Sequence, residues 1–79
     1  MIMIIYFENS KKELREIANI QNGTREKAIK EISKFLKAHN FKSYYQRLWN
    51  VQMNGEQMTC VDVGSWSEFF YITPPIMNQ

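Results

Sequence analysis

The chain is poor in the residues that cross-link small domains. Its 79 residues include one cysteine, Cys60, and one histidine, His39, so no disulfide can form within the chain. A zinc site is nearly excluded too, because such sites draw three or four ligands mainly from these side chains. A domain of this size buries only about 60% of the surface that its unfolded chain exposes. We therefore expect tight packing or self-association to supply stability.

Long apolar runs and export signals are also lacking. The longest apolar run, Met1 to Phe7, has seven residues, whereas a membrane-spanning helix needs about 20. Glu8 follows this run directly, and no basic stretch of the kind that opens a secretory signal precedes it. With one thiol and no export signal, the expected compartment is the reducing cytoplasm, and no membrane partner is expected.

Charge is small in total but unevenly distributed. The formal net charge is +2. Residues 1–42 hold nine Lys and Arg against five Asp and Glu, whereas residues 43–79 hold one Arg against three Asp and Glu. The hydrophobic content of 44%, with 14% aromatic residues, is ample for a folded chain. The sequence therefore indicates a single domain over 1–79, with a basic first half and an aromatic, mildly acidic second half.

The first twenty residues predict two strands. Ile2 to Phe7 has the composition of a strand buried on both faces. Residues 13–20 are ambiguous, because Ser10 and Glu13 could form the capping box of a helix. The segment is short and ends at Asn22-Gly23, which favours a strand paired with the first; a helix is the alternative.

Residues 24 to 39 carry the clearest helical signal. Thr24 is a suitable N-cap, and Asn40 suits the left-handed position after the helix, with Phe41 folding back onto its last turn. An apolar stripe has the spacing of one helix face: Ala28, Ile29, Ile32, Phe35 and Leu36. We expect this stripe to pack across a sheet.

The second half predicts a hairpin and a final strand. Asn54-Gly55 is the strongest hairpin signal in the chain. If these two residues are the whole turn, Arg47 faces Asp62, and this opposite-charge pair supports the register. Phe69 to Ile72 is predicted to be the last strand, and residues 73–79 a short C-terminal tail. The expected fold is α+β: a mostly antiparallel sheet of four to five strands in the order ββαβββ, with one helix packed across it.

Catalytic chemistry has few candidates. Cys60 is expected to face Trp49 across the hairpin, and its one candidate base, His39, belongs to the last helical turn, where an imidazole more often complements the helix dipole. The carboxylates of the second half are three: Glu56, Asp62 and Glu68. They do not form a converging set, because one belongs to the turn and another is expected to pair with Arg47. We therefore expect no enzymatic activity, no cofactor and no metal.

Aromatic residues are concentrated in one part of the chain. Nine of the eleven fall between Phe35 and Tyr71, more than one helix and one sheet face can bury. Exposed rings of this kind anchor protein interfaces, and single-stranded nucleic acids also stack on them. The expected protein-binding residues are Tyr44, Tyr45, Trp66, Phe69 and Tyr71.

A row of helix lysines gives the alternative hypothesis, a nucleic-acid-binding face that tracks phosphates. Its residues are Lys27, Lys30, Lys34 and Lys37. Glu26 and Glu31 interrupt this face, which is also compatible with an ordinary solvated surface.

Three stretches carry a resemblance to a known group of proteins: Ala28-Ile29-Lys30-Glu31-Ile32, Phe41-Lys42-Ser43-Tyr44-Tyr45-Gln46-Arg47 and Val61-Asp62-Val63-Gly64-Ser65-Trp66-Ser67-Glu68-Phe69-Phe70-Tyr71. Over roughly residues 24–72 the chain resembles small uncharacterised accessory proteins of Gram-positive bacterial phages and prophages, which offer no catalytic residues to carry over. The resemblance implies a factor that binds and modulates or blocks host machinery, as anti-CRISPR and other anti-defence inhibitors do. Many such inhibitors imitate DNA with dense acidic surfaces, and the net charge of +2 departs from that pattern.

The leading expectation is thus a non-enzymatic protein-binding module. A small nucleic-acid-binding domain is the alternative, and a self-assembling homo-oligomer is a third.

Overall fold

Five strands and one helix make up the fold. The structure is a computed structural model that describes residues 2–41 and 46–76. Its elements are β1 (Ile2–Glu8), β2 (Leu14–Gln21), α1 (Arg25–Ala38), β3 (Arg47–Met53), β4 (Glu56–Asp62) and β5 (Phe69–Thr73). The strands form one sheet in the order β2-β1-β5-β4-β3, and every neighbouring pair is antiparallel. The predicted α+β class and ββαβββ order are confirmed.

Helix α1 begins and ends as the sequence predicts. The Thr24 hydroxyl accepts a hydrogen bond of 3.2 Å from the Lys27 N–H. At the other end Asn40 has a φ of 57°, and the Phe41 N–H donates to the Leu36 carbonyl at 2.9 Å. This pattern satisfies carbonyl groups that the helix end leaves open, and it brings Phe41 back against the core.

The segment predicted over residues 13–20 is the strand β2, Leu14–Gln21, and not a helix. The Asn9 side chain organises the preceding turn, because its Oδ1 accepts hydrogen bonds from the N–H groups of Lys11 and Glu13. The Glu13 carboxylate accepts a hydrogen bond of 2.9 Å from the Asn9 side-chain amide instead of closing a capping box with Ser10. The pairing of β2 with β1 shifts register between Ile5 and Tyr6, which is a β-bulge in β2.

The hairpin register is confirmed. Asn54 and Gly55 have φ angles of 51° and 79°, as a type I′ turn requires. Arg47 is the cross-strand partner of Asp62, and its Nη2 lies 3.1 Å from the Asp62 Oδ2.

The core lies between α1 and one side of the sheet. Its helix residues are Ala28, Ile32 and Leu36, its strand residues are Met3, Ile5, Phe7, Val61, Phe70 and Ile72, and Val63 joins it from just after β4. Phe35 packs at its edge with ring centroids 4.8 Å from Phe7 and 5.5 Å from Phe70.

Two expectations need correction. β1 is buried on one face only, because Ile4 and Tyr6 are half-buried on the side that α1 does not cover. The predicted tail begins later than residue 73: Thr73 ends β5, and Ile76 packs on the core while its N–H donates to the Thr59 hydroxyl at 2.8 Å. Among the described residues, no helix is long and apolar enough to cross a membrane.

Candidate protein-docking surface

The side of the sheet opposite α1 carries a second apolar cluster. Its buried floor consists of Met58, Cys60 and Tyr71, and half-buried side chains pack around it: Tyr6, Val51, Met53 and Phe69. Trp49, the cross-strand partner of Cys60, stands on the same side and is 39% exposed. Among residues 2–41 and 46–76 no helix or strand lies over these eight residues, which we call the uncovered face.

Strand alternation assigns the rings of β5 to the two sides of the sheet. Phe70 points into the core beneath α1, so Phe69 and Tyr71 point to the uncovered face. Tyr6 on β1 is the cross-strand partner of Tyr71. The ammonium group of Lys12 lies 5.9 Å from the centre of the Phe69 ring, a distance at which a cation and a ring attract.

The floor of the uncovered face contains polar groups that are paired. The Tyr71 hydroxyl donates a hydrogen bond of 3.1 Å to the Glu8 carboxylate. Burial raises the pKa of Tyr71 well above its usual range, and the negative charges that Cys60 and Glu8 can carry act in the same direction. The raised pKa keeps the Tyr71 hydroxyl protonated at neutral pH.

Cys60 is buried, and its surroundings favour the protonated thiol. Burial raises the pKa of its thiol from 9.0 to about 11, and a hydrogen bond with Tyr71 only partly opposes this. A reactive cysteine needs the opposite shift. His39 cannot serve as its base, because His39 stacks on Phe35 at the helix end, with ring centroids 4.1 Å apart, whereas Cys60 lies on the far side of the sheet.

Trp66 is the most exposed large apolar side chain in the described part of the chain. It is 98% exposed and lies in the loop between β4 and β5. Hydrogen bonds fix that loop on both sides of Trp66. The Gly64 N–H donates to the Asp62 carboxylate at 2.9 Å, and the Ser65 hydroxyl donates to the Glu68 carboxylate at 2.9 Å. The Glu68 N–H closes the turn by donating to the Ser65 hydroxyl at 3.3 Å.

The predicted binding residues have different fates. Trp66 is exposed, and Phe69 is half-buried on the uncovered face. Tyr71 is only 9% exposed, so the expectation of an exposed ring is wrong at this position; it forms the floor instead. Tyr44 and Tyr45 lie outside the described residues.

Sequence reasoning did not assign six of the eight residues of the uncovered face to a binding surface: Tyr6, Trp49, Val51, Met53, Met58 and Cys60. Their signal was the alternation of β1, β3 and β4, which places every second side chain on the same side as Phe69. That signal was usable only once the strand order was known.

The helix lysines border a separate, shallow groove between α1 and β2. This groove of about 390 Å³ is lined by Asn19, Ile20, Gln21, Lys27, Lys30, Glu31 and Lys34. Lys27 donates to the Asn22 carbonyl at 3.2 Å, and Lys34 pairs with Glu31 at 3.2 Å. The fourth predicted lysine, Lys37, is exposed in the last helical turn and does not line the groove.

Within residues 2–41 and 46–76, no three His, Cys, Asp or Glu side chains cluster in a way that could hold a metal ion. Comparison of the chain with protein-family models, with curated proteins and with solved structures finds no match.

Proposed function

We propose that this protein is a non-enzymatic protein-binding module that docks through Trp66 and the adjoining uncovered face. The observation that carries the proposal is the 98% exposure of Trp66 on a loop held by its own hydrogen bonds. Three residues further on, Phe69 begins β5 on the uncovered face, so the loop and that face meet at one end of the sheet.

The energetics of association favour such an anchor. Tryptophan is enriched among the residues whose truncation costs the most binding free energy. A loop that is already ordered loses little conformational entropy when it docks, so more of the contact free energy remains as affinity. Phe69, at the end of the loop that carries Trp66, and the other half-buried side chains of the uncovered face (Tyr6, Val51 and Met53) supply apolar surface that a partner can cover.

The biological setting belongs to the same proposal. The sequence resemblance to small phage accessory proteins supports a role in binding and modulating or blocking host machinery. A positively charged chain with an apolar docking surface fits inhibition by occluding a protein surface better than imitation of DNA.

Site-specific photo-crosslinking tests the proposal. In one variant a photoreactive phenylalanine analogue replaces Trp66. In a matched control it replaces Ser33, which is solvent-exposed on α1. Both variants are irradiated in a lysate of a Gram-positive host. We expect one protein to be captured from position 66 and not from position 33. Trp66→Ala should then weaken binding of the purified partner by about 2 kcal/mol or more. Identical capture from both positions would contradict the proposal.

One observation favours the alternative, nucleic-acid binding: three of the four predicted lysines line the same groove. Lys27 is held by the neutral Asn22 carbonyl, and only Lys34 is paired with an acidic side chain, Glu31. Three lysines against one glutamate leave a net charge of +2 on the groove, fewer positive charges than the roughly six to ten phosphate contacts of a strongly salt-dependent nucleic-acid site require. A gel shift with mixed-sequence DNA and RNA distinguishes protein binding from nucleic-acid binding. Binding that collapses between about 50 and 200 mM salt, and that Lys30→Glu abolishes, would select the alternative; we expect no shift at low salt.

A further inference from the structure

The groove between β2 and α1 combines a sheet edge with a row of positive charge. β2 is an outer strand of the sheet and pairs only with β1 in the described part of the chain. The outer side of such a strand presents main-chain N–H and C=O groups to which another extended segment can pair. Above this edge α1 places Lys27, Lys30 and Lys34, whose side chains line the groove together with Asn19, Ile20 and Gln21.

The bulge in β2 limits where pairing can occur. The register shifts between Ile5 and Tyr6, and a bulge bends its strand and interrupts regular hydrogen bonding. Regular geometry remains over residues 18–21, which pair with residues 5–2 of β1. The three strand residues that line the groove all belong to this regular stretch, so the lysines stand over the part of the edge that can accept another strand.

The spacing of charge suits an extended peptide. Lys30 and Lys34 are four residues apart on α1, which is about 6 Å along the helix axis. Side chains on the same face of a strand repeat every two residues, about 6.8 Å. Because residues 19–21 and the three lysines line the same groove, acidic side chains at alternate positions of an added strand would be within reach of these lysines. Three lysines against one glutamate, which already pairs with Lys34, leave the groove positive.

We propose that this groove binds an acidic peptide segment, which adds to the sheet as a sixth strand beside residues 18–21 of β2 with its carboxylates toward the lysines of α1. A nucleic-acid backbone could use the lysines, but it has no use for the half-buried Ile20 or for the main-chain edge. The proposal goes beyond the proposed function, because it uses another surface and another partner chemistry. Either can fail while the other holds.

The test measures fluorescence anisotropy with a labelled peptide of about eight residues that alternates glutamate and valine. The comparison probes are the same peptide with lysine in place of glutamate, the acidic peptide with alternate main-chain nitrogens methylated, and single-stranded oligo-dT. We expect the acidic peptide to bind and, in NMR spectra of the protein, to shift the amide resonances of residues 18–21. The peptide with lysine in place of glutamate should not bind. Methylation of the peptide nitrogens that face β2 should weaken binding about tenfold, because it removes main-chain donors.

Matched variants complete the design. Lys30→Glu should weaken the acidic peptide about tenfold, whereas Lys37→Glu, on the same helix outside the groove, and Trp66→Ala should change its affinity less than about twofold. Thermal unfolding verifies that each variant is folded. Equal binding of the methylated peptide would show attraction by charge alone and overturn strand addition. Tighter binding of oligo-dT than of the acidic peptide would identify a nucleic-acid site, and no binding of the acidic peptide would reject the proposal outright.

Discussion

The hydroxyl of Tyr71 on β5 donates a hydrogen bond of 3.1 Å to the carboxylate of Glu8 on β1, and both side chains are buried. β1 and β5 are antiparallel neighbours, so this hydrogen bond links the first strand of the chain to the last. A buried carboxylate is tolerated only where donors satisfy it. In the described part of the chain, every buried side-chain nitrogen or oxygen has a hydrogen-bond partner. Burial of the polar groups in the floor of the uncovered face therefore leaves none of their side-chain nitrogen or oxygen atoms without a hydrogen bond.

Removing the Tyr71 hydroxyl should destabilise the fold. Tyr71→Phe leaves the Glu8 carboxylate buried without this donor, and we expect the free energy of unfolding to fall by about 1–3 kcal/mol. Urea unfolding followed by circular dichroism measures it. Tyr6→Phe is the control, because Tyr6 is half-buried on the same face, and its effect should be smaller. In combination with Glu8→Gln, a strictly additive loss would show that the two groups do not interact.

Local rules explain which parts of the fold could be predicted from the sequence. The turn at Asn54-Gly55 sets the register of its own hairpin, and Thr24 and Asn40 set the ends of α1, because each acts on residues next to it in the chain. Local signals also explain why residues 13–20 were ambiguous, because a segment this short fits both a helical and a strand pattern. Its pairing with β1, which no local signal reveals, makes it a strand.

Long-range relationships account for what could not be predicted. β5 lies between β1 and β4, and no turn residue encodes that position. The burial of Tyr71 and the exposure of Trp66 follow from it. Both rings belong to one aromatic stretch of sequence, but one lies on a crowded inner strand and the other on a loop at the sheet end.

Gly55 and Gly23 should both resist substitution, but for different physical reasons. Gly55 has a φ of 79°, and a Cβ there would meet no atom within 4 Å. Gly55→Val should therefore destabilise through the backbone alone, by about 1–2 kcal/mol, whereas Gly55→Asn should be better tolerated because asparagine accepts positive φ. Gly23 is confined by contact, since a Cβ there would lie 2.6 Å from the Met3 Cβ. Gly23→Ala should lower the melting temperature because the Met3 side chain must move. An unchanged melting temperature for Gly23→Ala, or a loss for Gly55→Asn as large as for Gly55→Val, would contradict these assignments.

The centre of the helix–sheet interface should be the most sensitive core position on α1. Ile32 is fully buried, whereas Ile29, one turn earlier, is half-buried. Ile32→Ala should cost about 2–5 kcal/mol in the free energy of unfolding, because it removes buried methyl groups and leaves a cavity. Ile29→Ala should cost distinctly less. Chemical denaturation of both variants measures the difference, and equal losses would show that the stripe is not oriented as described.

Cys60 should make the protein less stable in alkali. Burial raises the pKa of its thiol from 9.0 to about 11 in the folded state. Below pH 9 the thiol is protonated in both states, and its contribution to stability is fully present. Between pH 9 and about 11 the unfolded chain releases the proton while the folded chain retains it. The free energy of unfolding therefore falls over this window, by at most about 1.4 kcal/mol per pH unit for one proton.

Comparison with Cys60→Ala separates the effect of the thiol on stability from that of Tyr71, whose pKa is also raised. We expect the difference in unfolding free energy between the parent protein and Cys60→Ala to be constant below pH 9. Above pH 9 the parent should lose more stability than Cys60→Ala. The same burial should make native Cys60 slow to react with iodoacetamide at pH 8, and urea should accelerate the reaction by exposing the thiol. Rapid alkylation without denaturant would mean that the uncovered face opens readily at its centre. The floor of Met58, Cys60 and Tyr71 would then be unable to support a rigid docking surface.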